Sequence, residues 1–186
     1  MSFVDRISEK EESMSAILKN YPEIADPVSK MTEYVMRSED VQFSRAEREL
    51  IATFVSDLNG CIYAARTHQA TAEALGIQDE VFEALLHNID TAAVEDKLKP
   101  ILHYVKKLTL TPKRMTQADA SAIFDAGWDE KSFHFAIMIC GMFNLYNRLL
   151  EGYGIKNNSE FHEKAGRKLA LTGYMHVSEG ASPIKS

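Results

Sequence analysis

The stretch 44–76 constrains the fold more than any other, because helix signals mark its start, its middle and its end. Ser44 and Glu47 stand three residues apart, in the capping-box pattern that satisfies free backbone N–H groups where a helix begins. Apolar residues then recur at helical spacing until Asn59-Gly60, a pair that tolerates the left-handed turn after a helix. An alanine-rich segment from about Cys61 predicts a second helix. We therefore expect a helical hairpin here.

Similar signals divide the rest of the chain. Capping residues, apolar periodicity and terminal glycines predict further helices over 5–20, 26–37, 79–86, 92–108, 116–127, 129–151 and 159–171. Pro100 falls within 92–108 and predicts a break just before it. No segment alternates apolar and polar residues as a half-buried strand does. The predicted class is all-α, a single-domain helical bundle over 1–177, with a disordered polar tail over 178–186.

The helix predicted over 129–151 has an unusually apolar middle. From 133 to 146 only His134 and Asn144 are strongly polar. A helix that is apolar on every side lies at the centre of its domain or in a subunit interface. Small residues around Ala52 and Ala64 in the hairpin offer additional packing surface. We therefore expect the chain to form homo-oligomers.

The composition excludes several classes of protein. The 186 residues include 27 acidic and 21 basic side chains, and the basic ones are scattered rather than clustered as in a nucleic-acid-binding protein. The first residues are charged where a signal peptide is apolar, and the longest apolar run, 135–143, is too short to span a bilayer. Two cysteines indicate a reducing compartment without a disulfide scaffold. We expect a cytoplasmic protein with no membrane or nucleic-acid partner.

The first candidate for chemistry is Cys61, which the hairpin places at a helix N-terminus. The positive end of the helix dipole favours a thiolate there, so we expect a low pKa and a reactive thiol. The alternative is that Cys61 is a small buried hydrophobe that follows a turn. Cys140 lies in the apolar helix, where burial raises the pKa of a thiol, and we expect it to be inert. The sequence leaves open whether the two cysteines are close.

His68 and Glu49 are the other candidates. His68 lies on the same helix face as Cys61, two turns later and roughly 10 Å along the axis, while Ala64 stands one turn before His68. A catalytic role for His68 competes with that of a hydrogen-bonded core or interface residue. Glu49 lies opposite the apolar stripe of its helix, which indicates exposure to solvent, although the small residues around it admit a packed or cleft-lining side chain.

Taken together, these residues resemble a known motif. The resemblance is carried by Glu49, the turn Ser56-x-x-Asn59-Gly60-Cys61, Tyr63 and His68, and by the later Phe143-Asn144-x-x-Asn147-Arg148. The pattern resembles the alkylhydroperoxidase-D-like, or carboxymuconolactone decarboxylase, superfamily, and within it the peroxidase-related branch. The similarity covers about residues 20–155 and is most specific over 44–76. It implies an all-α fold of the alkylhydroperoxidase-D-like type and homo-oligomers, often trimers or hexamers built from them.

The resemblance also implies roles for the candidate residues. In redox members of the superfamily the second cysteine of a Cys-x-x-Cys pair attacks peroxide, the first resolves the disulfide, and a glutamate and a histidine relay protons. Glu49 and His68 match the relay, and Cys61 matches the resolving thiol. Ala64 stands where the attacking cysteine would be. Tyr63 is a further catalytic candidate.

Three functions are compatible with these residues. The first is a peroxidase-related oxidoreductase that acts on a hydroperoxide through Cys61 alone or with an external thiol reductant. The second is a decarboxylase-like lyase in which Glu49 and His68 act as acid and base on a small carboxylate or lactone. The third is an oligomeric protein with the fold but no chemistry. We rank them in that order and expect neither a metal nor a cofactor.

Overall fold

The structure, a computed structural model, describes residues 2–4, 7 and 13–175. Within these residues the chain is helical and contains no strand, which confirms the all-α class. The predicted tail, 178–186, lies outside the described residues, as does most of the first half of the helix predicted over 5–20. The domain bounds 1–177 stay a prediction. No helix of the described part is long and apolar enough to cross a membrane.

The α-helices of the described residues have the following bounds. They are α1 (Met14–Lys19), α2 (Pro22–Arg37), α3 (Arg45–Leu58), α4 (Ile62–Ala74), α5 (Glu80–His87), α6 (Lys99–Leu110), α7 (Gln117–Asp125), α8 (Glu130–Tyr153) and α9 (Ser159–Thr172). Short 3₁₀ turns occur at Ile89–Thr91, Asp96–Leu98 and Pro112–Arg114.

The start predicted for α2 is wrong. We expected Asp26 to cap this helix with Pro27 at its first position, but the helix begins at Pro22, and Pro27 lies inside it. Pro22 meets the same requirement, because its fixed φ and missing N–H suit the first turn of a helix. The break expected before Pro100 is confirmed, since α6 begins at Lys99 and the proline falls in its first turn. The helix predicted from residue 92 is wrong before this point, because 92–95 are not helical and Asp96–Leu98 form a 3₁₀ turn.

The predicted hairpin is present as α3 and α4. Glu47 N–H donates to Ser44 Oγ over 3.1 Å, and Ser44 N–H donates to Glu47 Oε2 over 2.7 Å, so the capping box is complete. Gly60 takes a φ of 70°, the left-handed conformation expected after α3. Cys61 is the N-cap residue of α4. Local sequence signals therefore fix the turn that brings the two helices together.

The main core surrounds α3, whose apolar stripe is buried against α4, α6 and α8. The only tryptophan of the chain, Trp128, lies at one side of this core. Its ring packs on Phe43 with 4.4 Å between the ring centroids, and its Nε1–H donates to the carbonyl of Lys97 over 2.7 Å. A second, smaller apolar cluster contains Cys61, Tyr63 and Ala64.

The helix α8 is less enclosed than its composition predicts. One side is buried in the main core through residues such as Ile139, Met142 and Phe143. Gly141 and Leu145, on the other side, are exposed. The exposed Leu145 agrees with the expected self-association, which stays a prediction.

Two close contacts position the elements that form the site. The buried Arg48 guanidinium donates to the carbonyls of Val35, Ser38 and Phe43, and so fastens the connection between α2 and α3. The helix α9 crosses α4 at Gly166, where a Cβ atom would lie only 2.6 Å from that of Ala70. This close approach brings the end of α9 and the residues after it over α4.

Candidate functional site

A buried carboxylate, Glu49, lies at the centre of the candidate site. Its side chain is 0% exposed and accepts hydrogen bonds from three parts of the chain. His68 Nδ1 of α4 lies 2.8 Å from Oε2, while Arg37 Nη2 of α2 and the Tyr174 hydroxyl each lie 2.8 Å from Oε1. The expectation that Glu49 faces solvent is therefore wrong, and the alternative of a packed side chain is correct.

The partners of Glu49 keep it ionised. Burial by itself raises the pKa of this carboxyl, but the hydrogen bond and charge of His68, with the charge of Arg37 and the Tyr174 hydroxyl, outweigh burial and lower the pKa. Burial lowers the pKa of Arg37, but the charge and hydrogen bond of Glu49, with the electrostatic effects of Tyr174 and Glu33, together outweigh burial and raise this pKa. Burial also raises the pKa of Tyr174 well above its usual value, so its hydroxyl stays a donor.

An ionised Glu49 fixes the orientation of the His68 ring. A carboxylate only accepts hydrogen bonds, so Nδ1 of His68 carries a proton and donates it. The ring also packs edge-on against Phe143, with 4.6 Å between centroids, and stacks on Tyr174 at 6.2 Å. Nε2 is the ring nitrogen that does not contact Glu49, and His68 lines the adjoining cavity. This is the arrangement of a positioned general acid or base.

A cavity of about 580 Å³ adjoins the cluster. Residues of α1, α2, α4, α8 and α9 form its walls, together with Tyr174 after α9. His68 and Tyr174 are the members of the buried cluster that line it. Ala64 lines it as well, one turn before His68, and so does Tyr63. A small organic molecule fits a cavity of this size.

Cys61 lies at the N-terminus of α4 as predicted, but its thiol is not the exposed, low-pKa group that we expected. Its side chain is 0% exposed and does not line the cavity. The pKa of its thiol is raised to about 12, chiefly by burial and also by the hydrogen bond and charge of Glu151, although the backbone N–H groups of Ala64 and Tyr63 act in the opposite direction. The expectation of a low pKa is therefore wrong, because the desolvation of the thiol outweighs the helix dipole.

The remaining candidates are also placed. Cys140 is buried in the main core, 3.3 Å from Thr109 Oγ1, and burial raises the pKa of its thiol as expected. It belongs to a different packed cluster from Cys61. The ring of Tyr63 packs on that of His162 rather than on the Glu49 cluster, and burial raises the pKa of its hydroxyl.

The sequence analysis missed Arg37 and Tyr174. Arg37 ends α2 and lies next to the ring of Tyr174, with its guanidinium carbon 4.9 Å from the ring centroid. The backbone N–H of Tyr174 donates to Glu33 Oε2 over 2.6 Å, which holds the tyrosine in place. A buried carboxylate requires a counter-charge, but nothing in the sequence indicates which arginine supplies it. No group of three or more metal-ligating side chains is present in the described part of the chain.

Comparisons with known proteins agree with this architecture. Residues 22–100, which include Glu49, Cys61 and His68, match the model of the carboxymuconolactone decarboxylase family. A peroxidase-related protein from Silicibacter sp. TM1040 has a similar structure, with a TM-score of 0.70, 22% identity and coverage of 86% of this chain and 90% of that one. No curated protein matches the sequence significantly.

A second solved structure has the same fold. It is the alkylhydroperoxidase D core of a peroxidase-related protein from Ralstonia eutropha JMP134, with a TM-score of 0.72, 22% identity and coverage of 82% of this chain and 79% of that one. At this identity the two structures establish the fold alone. With the family match, they confirm the superfamily suggested by the motif. Residues 22–100 of the chain thus match the carboxymuconolactone decarboxylase family, and the chain shares its fold with alkylhydroperoxidase-D-like proteins, as the motif suggested.

Proposed function

We propose that the protein is an acid–base enzyme of the decarboxylase-like type, which acts on a small carboxylate or lactone through His68. One observation carries the proposal: His68 contacts the buried carboxylate of Glu49 and also lines the cavity. Cys61 contacts neither, and its raised pKa disfavours the thiolate that a peroxidase needs. The lyase therefore takes first place and the single-thiol oxidoreductase second.

The proposed reaction uses His68 as the proton donor. Loss of CO₂ from the substrate breaks a carbon–carbon bond and leaves its electron pair on the remaining carbon. His68 then gives the proton of Nε2 to that carbon, and a proton from solvent restores the imidazolium. The product carries hydrogen where the substrate carried a carboxylate. Proton transfer by a positioned side chain contributes about 10²- to 10⁴-fold to a rate.

Glu49 is a positioning residue in this scheme. It holds Nδ1 of His68 and balances the positive charge of the imidazolium. Arg37 and Tyr174 hold the other carboxylate oxygen, so Glu49 does not take the proton itself. A charge that is already oriented needs no rearrangement during the reaction, which favours catalysis in a buried site.

Thiol chemistry at Cys61 is the second candidate. The backbone N–H groups of Tyr63 and Ala64 act on its sulfur in the direction that favours a thiolate. In that scheme the thiolate attacks a hydroperoxide, which forms a sulfenic acid and, with a proton from solvent, an alcohol. One external thiol then forms a mixed disulfide with loss of water, and a second releases the cysteine as a thiol. The scheme requires a movement that exposes Cys61 to the cavity.

Matched assays of the purified protein separate the two candidates. CO₂ release from a carboxylated γ-lactone and from a β-keto acid is measured beside dithiothreitol-dependent consumption of cumene hydroperoxide. We expect CO₂ release that falls at least about 100-fold in His68→Ala and persists in Cys61→Ser. Hydroperoxide consumption that persists in His68→Ala and disappears in Cys61→Ser would instead establish thiol chemistry and overturn the proposal.

A further inference from the structure

The cavity beside His68 has a positive mouth. Three lysines line it among the described residues: Lys19 from α1, and Lys164 and Lys168 from α9. All three are exposed, and no acidic residue is among the described residues that line the cavity. Several cations at the entrance of a cleft attract an anionic ligand and orient it.

The walls between this mouth and His68 are mainly apolar. They include the side chains of Met14, Leu18, Val28, Phe143, Leu150 and Phe161. The 580 Å³ cavity lies within the range of sites that enclose organic ligands of drug size. An acid of two or three carbons would leave most of the apolar wall uncovered, whereas an aliphatic chain would cover it.

An unpaired hydroxyl belongs to the buried wall of the cavity. Ser29 of α2 is 2% exposed and lines the cavity, and its Oγ has no hydrogen-bond partner within the described residues. The neighbouring hydroxyls are paired with each other, since that of Thr32 contacts that of Tyr146. A buried hydroxyl without a partner is unfavourable, so a ligand with a polar group at this depth would gain a hydrogen bond.

We propose that the cavity binds an amphipathic carboxylate of about ten carbons, with its charged end at the lysines, its chain along the apolar wall and an oxygen function inside, at Ser29. The assignment of this substrate class rests on the proposed function only in placing the reacting group, a second carboxylate or a lactone, near His68; the carboxylate held at the lysines binds and is not lost. The binding of such a ligand does not depend on turnover.

Isothermal titration calorimetry with chemically simple probes tests the proposal. We expect decanoate to bind the native protein at least fivefold more tightly than decanol, and to lose most of that advantage in 0.5 M NaCl. We also expect 10-hydroxydecanoate to bind at least threefold more tightly than decanoate. Equal affinity for decanoate and decanol, or preference for decyltrimethylammonium, would overturn the assignment of the mouth.

Variants locate the two ends of the ligand. Lys164→Gln with Lys168→Gln should weaken decanoate binding about fivefold, whereas the charge-matched pair Lys106→Gln with Lys113→Gln, outside the cavity, should not change it. Ser29→Ala should abolish the preference for 10-hydroxydecanoate. The control Ser132→Ala removes the other unpaired buried serine hydroxyl of the described residues, which does not line the cavity. If Ser29→Ala still prefers 10-hydroxydecanoate over decanoate, the proposed contact between the ligand and Ser29 is wrong.

The two proposals fail separately. Probe binding with this pattern and no His68-dependent CO₂ release would retain the ligand class and reject the chemistry. His68-dependent CO₂ release without a preference for carboxylates in binding would retain the chemistry and reject the ligand class.

Discussion

At the scale of single residues, the site shows how partners decide the effect of burial. Glu49 and Cys61 are both fully buried, yet the pKa of Glu49 is lowered and that of Cys61 is raised. Glu49 contacts an arginine, a histidine and a tyrosine hydroxyl, all of which stabilise its charge. Cys61 faces apolar neighbours and the carboxylate of Glu151. The partners of Glu49 therefore keep it charged in spite of burial, whereas burial keeps the Cys61 thiol neutral.

Both thiols should react slowly in the native protein. With a pKa of about 12, Cys61 has a thiolate fraction at neutral pH on the order of 10³-fold below that of an ordinary cysteine with a pKa of about 8.5. We expect the folded protein to react far more slowly with Ellman's reagent than the urea-unfolded protein. Rapid labelling of one thiol per chain, mapped to Cys61, would show that the site opens.

A cysteine at position 64 should create the missing redox pair. Ala64 lines the cavity one turn before His68 and one turn after Cys61, so a thiol there meets both the substrate space and a proton acceptor. We expect Ala64→Cys to gain dithiol-dependent hydroperoxide reduction well above the parent. Added volume on this packed face could cost on the order of 1–3 kcal/mol of stability, which circular dichroism would report.

Two further variants control this experiment. Adding His68→Ala to Ala64→Cys should remove most of the gain, because the new thiol loses its proton acceptor. Adding Cys61→Ser should remove the resolving thiol. A folded Ala64→Cys protein that forms no disulfide with Cys61 under peroxide would show that the stretch 44–76 does not keep the geometry of the redox members.

Sequence reasoning identified Glu49 and His68 but not the contacts that make them a site. The contact between Glu49 and His68 depends on the crossing of α3 and α4, and only the family motif indicated that these two residues act together. Arg37 and Tyr174 come from distant parts of the chain, and no local pattern marks either of them. The pKa of Cys61 was mispredicted because the helix dipole can be predicted locally, whereas burial by Ile17 and Leu150 cannot.

At the scale of helices, the crossing of α4 and α9 depends on Gly166. A Cβ atom there would lie 2.8 Å from the carbonyl oxygen of Thr67 and from the amide nitrogen of Thr71, and backbone atoms cannot move aside as side chains do. Gly166→Ala should therefore lower the free energy of unfolding by about 1–3 kcal/mol, measured by urea denaturation.

Gly152→Ala is the matched control. This glycine lies near the end of α8, and a Cβ atom added to it meets nothing within 4 Å. Because alanine favours a helix over glycine by up to about 1 kcal/mol, the control should be neutral or stabilising. If Gly166→Ala is equally harmless, α4 and α9 do not approach as closely as described.

Helix boundaries could be predicted from the sequence better than the crossings between helices. The capping boxes at Ser44 and Thr116 act within one turn, and both are present. The start of α2 was mispredicted at Pro27 because Pro22, five residues earlier, suits the first turn of a helix equally well. The packing of α9 on α4 depends on a single small residue far along the chain, so periodicity alone does not reveal it.

At the scale of the whole molecule, the buried cluster should make stability depend on acid. The folded pKa of Glu49 lies below its unfolded value of about 4.3. Its contribution is therefore fully present above that value and is lost as the pH falls through the folded pKa. Glu49→Gln should cost about 3–5 kcal/mol at pH 7, because Arg37 keeps a buried charge without its counter-charge.

Urea denaturation between pH 3 and 7 tests this dependence. The difference in unfolding free energy between the parent and Glu49→Gln should narrow as the pH falls below about 4.3, because Glu49 then takes up a proton in the unfolded chain before it does so in the folded protein, which favours unfolding of the parent. Glu47→Gln, which alters an exposed capping residue of the same helix, serves as the control. A difference that stays constant down to pH 3 would contradict the role assigned to Glu49.

Self-association is the expectation that concerns the molecule as a whole. The exposed side of α8, with Gly141 and the apolar Leu145, offers a contact surface for a second copy. Light scattering at micromolar concentration should therefore give a mass of at least twice the 20.9 kDa of one chain. A monomeric mass would instead indicate that this face stays in water.

The position of Trp128 has an optical consequence. The cavity beside Trp128 shares no lining residue with the cavity beside His68. The indole is the main emitter of the protein, and its environment is set by Phe43 and by the carbonyl of Lys97. Emission will follow the unfolding of the main core but stay unchanged when a ligand enters beside His68. A compound screen that relies on intrinsic fluorescence would therefore miss true binders.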